Sequence, residues 1–354
     1  MRKILTYLIL FLGLTAESGA QSFSGPESVE FDPINNRYIV SNTSSGNLQS
    51  VIPGNAPTLF TANVSSPYGL VVVDSTVYVN DNGKVLGFNL VTGLQTFTSN
   101  VNGSFLNGIC ADTSGHLYTT DFSAKKIYKV NIADGSFNVF VNATTKTPNG
   151  ILFDAANNRL IYCTWGSAVQ IKAVSLVDSS QTVLKTTTLS NDDGIAMDGQ
   201  GKIYISVWGT QSIYMLDSAF VNAPVQVITG LNNPADICYN QSNDTLGVPN
   251  SGNTNTVNFY NMSYILSLQK EQFSISKDFL KTSADENSVQ LEWVLENHSQ
   301  ATLQIFALNG SMVSCEDVLS SGKHVIENGK LKTGIYFARL VAGEKQLTEK
   351  FFVD

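Results

Sequence analysis

Histidine is nearly absent from this chain of 354 residues, which has three, at positions 116, 298 and 324. Two lie near the C-terminus, and His116 falls on a turn between strands, at the end opposite the candidate site residues below. So few imidazoles exclude Ser-His-Asp catalysis, His-rich zinc sites and chemistry built on a His dyad. Charge is also scarce, at 14% of residues, and the formal balance is −8. An acidic, sparsely charged chain argues against nucleic acid or anionic lipid as a partner. There is no low-complexity tract and no block of like charges. No glycine-rich loop leads into a helix, so a phosphate cradle is excluded. After the N-terminus no apolar run is long enough to span a bilayer.

What is present begins with Arg2 and Lys3 ahead of an apolar run, Ile4 to Leu14, and the small residues Ser18-Gly19-Ala20. This reads as a signal peptide over residues 1–20, cleaved near Ala20-Gln21. Next, one short phrase recurs six times: GPESVEFDPINNRYIVSN, SPYGLVVVDSTVYVND, FLNGICADTSGHLYTTD, TPNGILFDAANNRLIYCTW, NDDGIAMDGQGKIYISVW and NPADICYNQSNDTLGVPN. The register residues Ser28, Gly69, Gly108, Gly150, Gly194 and Asp236 repeat at a step of about forty residues. Alternating apolar residues punctuated by Gly, Asn and Asp turns predict an all-β fold, a six-bladed β-propeller over residues 21–268. The sixth blade's outer strand is expected from residues 263–269 or from the new N-terminus near Ser22. Cys110 and Cys238 fall on first strands of opposite blades, Cys163 on a second strand, and Cys315 outside the repeats. Bridges are therefore not expected, and the four are read as buried free thiols.

The repeat stops near residue 265, glycine thins, and short strands such as VQLEWVL, TLQIFAL, KHVIE, GIYFARLV and QLTEKFFV follow. Turn signals separate them, which predicts a small C-terminal β-sandwich over residues 269–354. The layout LEWVLEN, LQIFALNGSMV, LKTGIYFARLVAGEKQLTEKFFV resembles the C-terminal sorting domain of type IX secretion, with Gly334-Ile335-Tyr336 and Thr348-Glu349-Lys350-Phe351 at its characteristic strands. An early Tyr-Pro-Asn-Pro is replaced by SISKDFLKTSADEN. The resemblance implies a Bacteroidota-type bacterium, the type IX machinery as a partner, and a protein secreted or held at the cell surface.

In a propeller the first strand of each blade lines the central channel, so the residue before it stands at the channel mouth. Those residues are Glu27, Tyr68, Asn107, Asn149, Asp193 and Ala235. Glu27, Asn107, Asn149 and Asp193 carry oxygen donors suited to a hard cation. Asn-Gly and Asp-Gly are also ordinary turn dipeptides, and on that reading they only open their strands. A second ring, Asn42, Asp81, Asp121, Trp165, Trp208 and Asn250, ends the second strands at the same face. Trp165 and Trp208, with Tyr68, could wall a small-molecule pocket and stack on a sugar ring, or could simply cap the seams between blades.

The series Glu27-Ser28-Val29-Glu30-Phe31-Asp32-Pro33, Asn107-Gly108, Asn149-Gly150-Ile151 and Asp193-Gly194-Ile195 is similar to the senescence-marker-protein/gluconolactonase family, an NHL-like propeller group. That resemblance implies a divalent metal, Ca, Zn or Mn, on Glu27, Asn149 and Asp193, with Asn107 contacting metal-bound water or substrate. Gly108 follows Asn107 directly where the family has Asn-Asp-Gly, and the family's long substrate loops are not recognisable. The function so implied is metal-dependent hydrolysis of a lactone or related, sugar-derived ester by a monomer, with Asp193 as general base and Asn107 orienting the carbonyl. The alternative is a non-catalytic surface propeller that binds glycan or protein through the same mouth.

Overall fold

The computed structural model describes residues 23–266, 279–284, 288–295, 298–327, 329–343 and 345–353. The signal peptide expected over residues 1–20 lies outside the described residues. The chain divides into two units, Met1–Ile265 and Leu266–Asp354.

The first unit contains six antiparallel sheets, each a meander in chain order. Their inner strands are Pro26–Asp32, Pro67–Val73, Leu106–Ala111, Thr147–Asp154, Asp192–Met197 and Cys238–Asn240. Each inner strand neighbours the next, and the first returns to the sixth, where Ser28 and Asp236 form a parallel bridge. This is a propeller. Apolar residues of facing sheets fill the seams, for example Ile39, Leu48, Leu70, Val77, Val79 and Phe88 between the first and second.

Two residue-level devices recur and explain the sequence repeat. In the first, third, fifth and sixth sheets, at the end of the inner strand away from the mouth, an acidic or amide side chain accepts the N–H groups of the turn. Asp32 takes Ile34 and Asn35, Asp112 takes Ser114 and His116, Asp198 takes Gln200 and Lys202, and Asn240 takes Ser242. The register glycines have a different cause, since the inner strands crowd together at the axis. A Cβ on Gly108 would stand 2.6 Å from the Asn149 carbonyl oxygen, and one on Gly150 would stand 2.7 Å from that of Asp193.

Among the described residues the sixth sheet has three strands, Cys238–Asn240, Thr245–Asn250 and Thr256–Asn261. Residues 262–266 turn helical instead of adding a fourth. The ring is joined from the other side by residues 23–25. Phe23 is buried with Val29, Tyr38, Cys238 and Val257, while Ser24 N–H donates to Asn42 and Gly25 N–H to Asn255.

The second unit has two sheets. One holds Phe279–Ala284, Ser288–Val294 and Ser321–Glu327; the other holds Met312–Leu319, Gln300–Ala307, Gly334–Ala342 and Lys345–Val353. The strand Phe279–Ala284 was not legible in the sequence pattern. Trp293, Leu303, Ile305, Leu340 and Phe351 build the core, and Trp293 donates its indole N–H to the Leu319 carbonyl. Tyr336 of the Gly-Ile-Tyr strand stacks on Phe351 of the final strand, ring centroids 5.7 Å apart, which accounts for both motifs. All four cysteines are free, but Cys315 is exposed on an edge strand, correcting the expectation that it is buried. No helix among the described residues is long and apolar enough to cross a membrane.

Candidate active site

The mouth residues are held by their own backbone carbonyls. Asn80 Nδ2 donates to the Asn107 carbonyl at 2.7 Å and Thr120 Oγ1 to that of Asn149 at 2.8 Å. Cys163 Sγ donates to Asp193 at 3.1 Å and Ser206 Oγ to Ala235 at 2.7 Å. In each case the donor comes from the second strand of the preceding sheet. The Glu27 carbonyl instead accepts the Asp236 N–H at 2.8 Å, across the closure of the ring. Backbone carbonyls so engaged leave the side chains of Glu27, Asn107, Asn149 and Asp193 as the variable part of the mouth. All four are buried, Asn149 and Asp193 to 1% and 3% exposure. Tyr68 is half-buried beside them.

Electrostatics at the mouth are unusual. Burial, and then the neighbouring Asp236, push the Glu27 carboxyl up to about 8. Asp193 is raised by burial first, then by Glu27 and Asp236, while the Asn149 side chain opposes the shift. Asp236 itself rises to about 7 through burial, although Ser28 Oγ donates to it at 2.7 Å. Further along the channel Glu30 is driven to about 8 by burial and by Asp236. It lines a cavity of about 250 Å³ with Cys110, Asp236 and Cys238. Low-dielectric surroundings penalise the charged form, and like charges add to the penalty.

Hydrogen-bond accounting sharpens the location. Among the described residues, the buried side-chain atoms without a partner are Asn47 Oδ1, Asn149 Oδ1, both oxygens of Asp192, Asp193 Oδ1 and Trp208 Nε1. All but the first belong to the fourth and fifth sheets at the mouth. Buried polar atoms are nearly always paired, so a concentration of unpaired ones marks a place built for something other than folding. No three His, Cys, Asp or Glu side chains among the described residues gather as a metal site by themselves. A cation here must use the Asn149 amide oxygen with the carboxylates.

The second ring splits into two kinds of residue. Asn42 accepts Ser24 N–H, Asp81 accepts Ser65 and Ser66, Asp121 accepts Ser104, Phe105 and Ala124, and Asn250 accepts Asn232. These four are loop clamps, each with an oxygen spent on backbone. Trp165 and Trp208 stand at the same position in the fourth and fifth sheets, half-buried and in edge-to-face contact, centroids 5.2 Å apart at 75°.

Sequence reasoning missed three acids: Asp192, Asp236 and Glu30. Asp192 had a signal. Its counterparts in the other repeats are Pro26, Pro67, Leu106, Pro148 and Pro234, and a carboxyl at an apolar position, here wholly buried and raised by burial, is out of pattern. Asp236 had one too, as the only acid at a register position otherwise Gly or Ser.

Solved structures with this fold are distant in sequence. The chain is similar to a component of a nidogen/laminin complex, at 18% identity over 62% of this chain and 88% of the other, TM-score 0.56. It is similar to a Xanthomonas campestris gluconolactonase, at 13% identity over 65% and 84%, TM-score 0.56. It is also similar to a Staphylococcus aureus virginiamycin B lyase, at 13% identity over 76% and 91%, TM-score 0.51. At these identities the likeness is one of fold. No curated protein matches the chain in sequence. The C-terminal residues are more specific. Residues 284–354 match the secretion system C-terminal sorting domain. That segment belongs to the sorting-domain family, and the protein is exported by the type IX route, secreted or held at the cell surface.

Proposed function

We propose that this protein is a secreted hydrolase of lactones or related esters that works with a divalent cation held at the channel mouth. The observation that carries the reading is the cluster of buried oxygens without partners, Asn149 Oδ1 and Asp193 Oδ1, beside the raised carboxyl of Glu27. Glu27, Asn149 and Asp193 would hold the cation, and a donor set made wholly of oxygen favours Ca²⁺ or Mn²⁺ over Zn²⁺. A bound cation supplies Lewis-acid polarisation of the ester carbonyl.

The chain's own residues do the rest. Glu27 would balance part of the added charge, and the positive charge of a bound cation would favour the ionised form of Asp193, which would take the proton from the attacking water. Asn107 orients the carbonyl or the departing oxygen from the next position around the mouth. Tyr68, whose hydroxyl is raised by burial and by Glu27, closes the floor on the other side. Trp165 and Trp208 form the apolar wall that a small-molecule site needs.

The test is calorimetric titration of the full chain with Ca²⁺ and Mn²⁺, beside Glu27→Gln and Asp193→Asn. Stoichiometric binding by the parent, weakened at least about tenfold in either variant, is the expected result. A parent that binds neither ion returns the mouth to a polar surface of the glycan- or protein-binding kind.

A further inference from the structure

We infer that the substrate carries an extended aromatic or aliphatic substituent, which lies along an arc of five aromatic rings leading away from the acidic floor; this rests on the hydrolase reading above. The arc runs Tyr68, Phe105, Phe122, Trp165, Trp208, and so crosses the second, third, fourth and fifth sheets. Successive centroids are 4.7, 5.3, 5.9 and 5.2 Å apart. None of the five residues is fully buried.

Three observations make this a ligand surface and not only a seam. First, its ends meet the floor on both sides: Tyr68 is itself a mouth residue, one repeat on from Glu27, and the Trp208 backbone N–H donates to the Asn191 carbonyl, next to Asp192 and Asp193. Second, the acids interleaved with the rings are unavailable. Asp81 and Asp121 are buried: both oxygens of Asp121 accept backbone N–H groups of the loop before its inner strand, Phe105 included, while Asp81 gives Oδ1 to Ser65 and Ser66 N–H and Oδ2 to the Ser65 hydroxyl. A ligand running along the arc therefore meets rings and not carboxylates. Third, at the position where four sheets place a loop clamp, the fourth and fifth place tryptophan, so those rings are surplus to the device that orders the loops. A contiguous, partly exposed aromatic surface beside a reactive floor recognises flat or extended apolar groups.

The experiment uses the full chain and two inert mimics, γ-phenyl-γ-butyrolactam and unsubstituted γ-butyrolactam, followed by calorimetry and tryptophan fluorescence. The phenyl lactam should bind about tenfold more tightly, the scale expected for covering one face of a phenyl ring. Phe122→Leu and Trp165→Leu, each checked for an unchanged thermal melt, should erase most of that difference. Equal binding of the two lactams, or binding of neither, overturns the inference on the parent protein alone, whatever the variants do. The corresponding lactones separate the two readings. A retained phenyl-lactam preference with no lactone hydrolysis removes the hydrolase and leaves an apolar-ligand site. Hydrolysis of both lactones at equal kcat/KM leaves the hydrolase and removes the arc's role.

Discussion

Burial, with Asp236 beside them, pushes Glu27 and Glu30 up from 4.5 to about 8, and burial pushes Asp236 up from 3.8 to about 7. Because each is raised in the folded chain, the native state holds more protons than the unfolded one between those limits. Stability conferred by these groups is therefore complete in acid and lost as pH rises through the folded values. The cation-free protein should melt at progressively lower temperature from pH 5 to pH 8.5. Saturating Ca²⁺ should flatten the profile, since a cation takes over from the protons. Calorimetric melts in chelator and in Ca²⁺ measure this, and a melting temperature that climbs with pH in chelator would contradict it. The oxygen donors Glu27, Asn149 and Asp193 were legible because they precede the register residues one per repeat. Their shared burial was not, since proximity across the ring is set by closure and not by spacing along the chain.

The inner strands are placed by two requirements, close backbone approach at the axis and a donor from the preceding sheet. Gly150 shows the first: the atom that an alanine would add meets the carbonyl of Asp193, whose side chain belongs to the site. Gly150→Ala should cost about 2 kcal/mol in urea denaturation and weaken cation affinity as well, because relief of the clash moves Asp193. Gly199→Ala is the comparison. Its new Cβ meets only the end of the Gln241 side chain, at 3.4 Å, and should change neither quantity measurably. The strands themselves were readable from alternation. The roles of Asn42, Asp81, Asp121 and Asn250 were not, because a polar residue ending a strand looks the same whether it caps a loop or faces a ligand. Only the N–H groups it accepts tell the two apart.

For the whole molecule, the sorting domain and the proposed cation site fall in different units. Deleting residues 284–354 removes the sorting domain and should leave the protein inside the cell envelope, detected by fractionation and immunoblot. The shortened chain should still bind Ca²⁺ with the affinity of the full chain, since every proposed ligand precedes Ile265. Surface display of the truncated protein would remove the sorting role from this segment.

The repeat step, the alternation within each strand and the glycines at the axis determined the propeller, because backbone sterics and burial leave few other uses for that pattern. The tail's strands and its Gly-Ile-Tyr motif were determined in the same way, by packing of Tyr336 on Phe351. Tertiary structure alone decided which polar residues are spent. It assigned Asp81 and Asp121 to loop amides, brought Asp236 to the Ser28 hydroxyl across the closure, and left Asn149, Asp192 and Asp193 with buried oxygens unpaired. The reason is that hydrogen-bond satisfaction depends on neighbours from other blades, forty or two hundred residues away, about which local sequence carries no information.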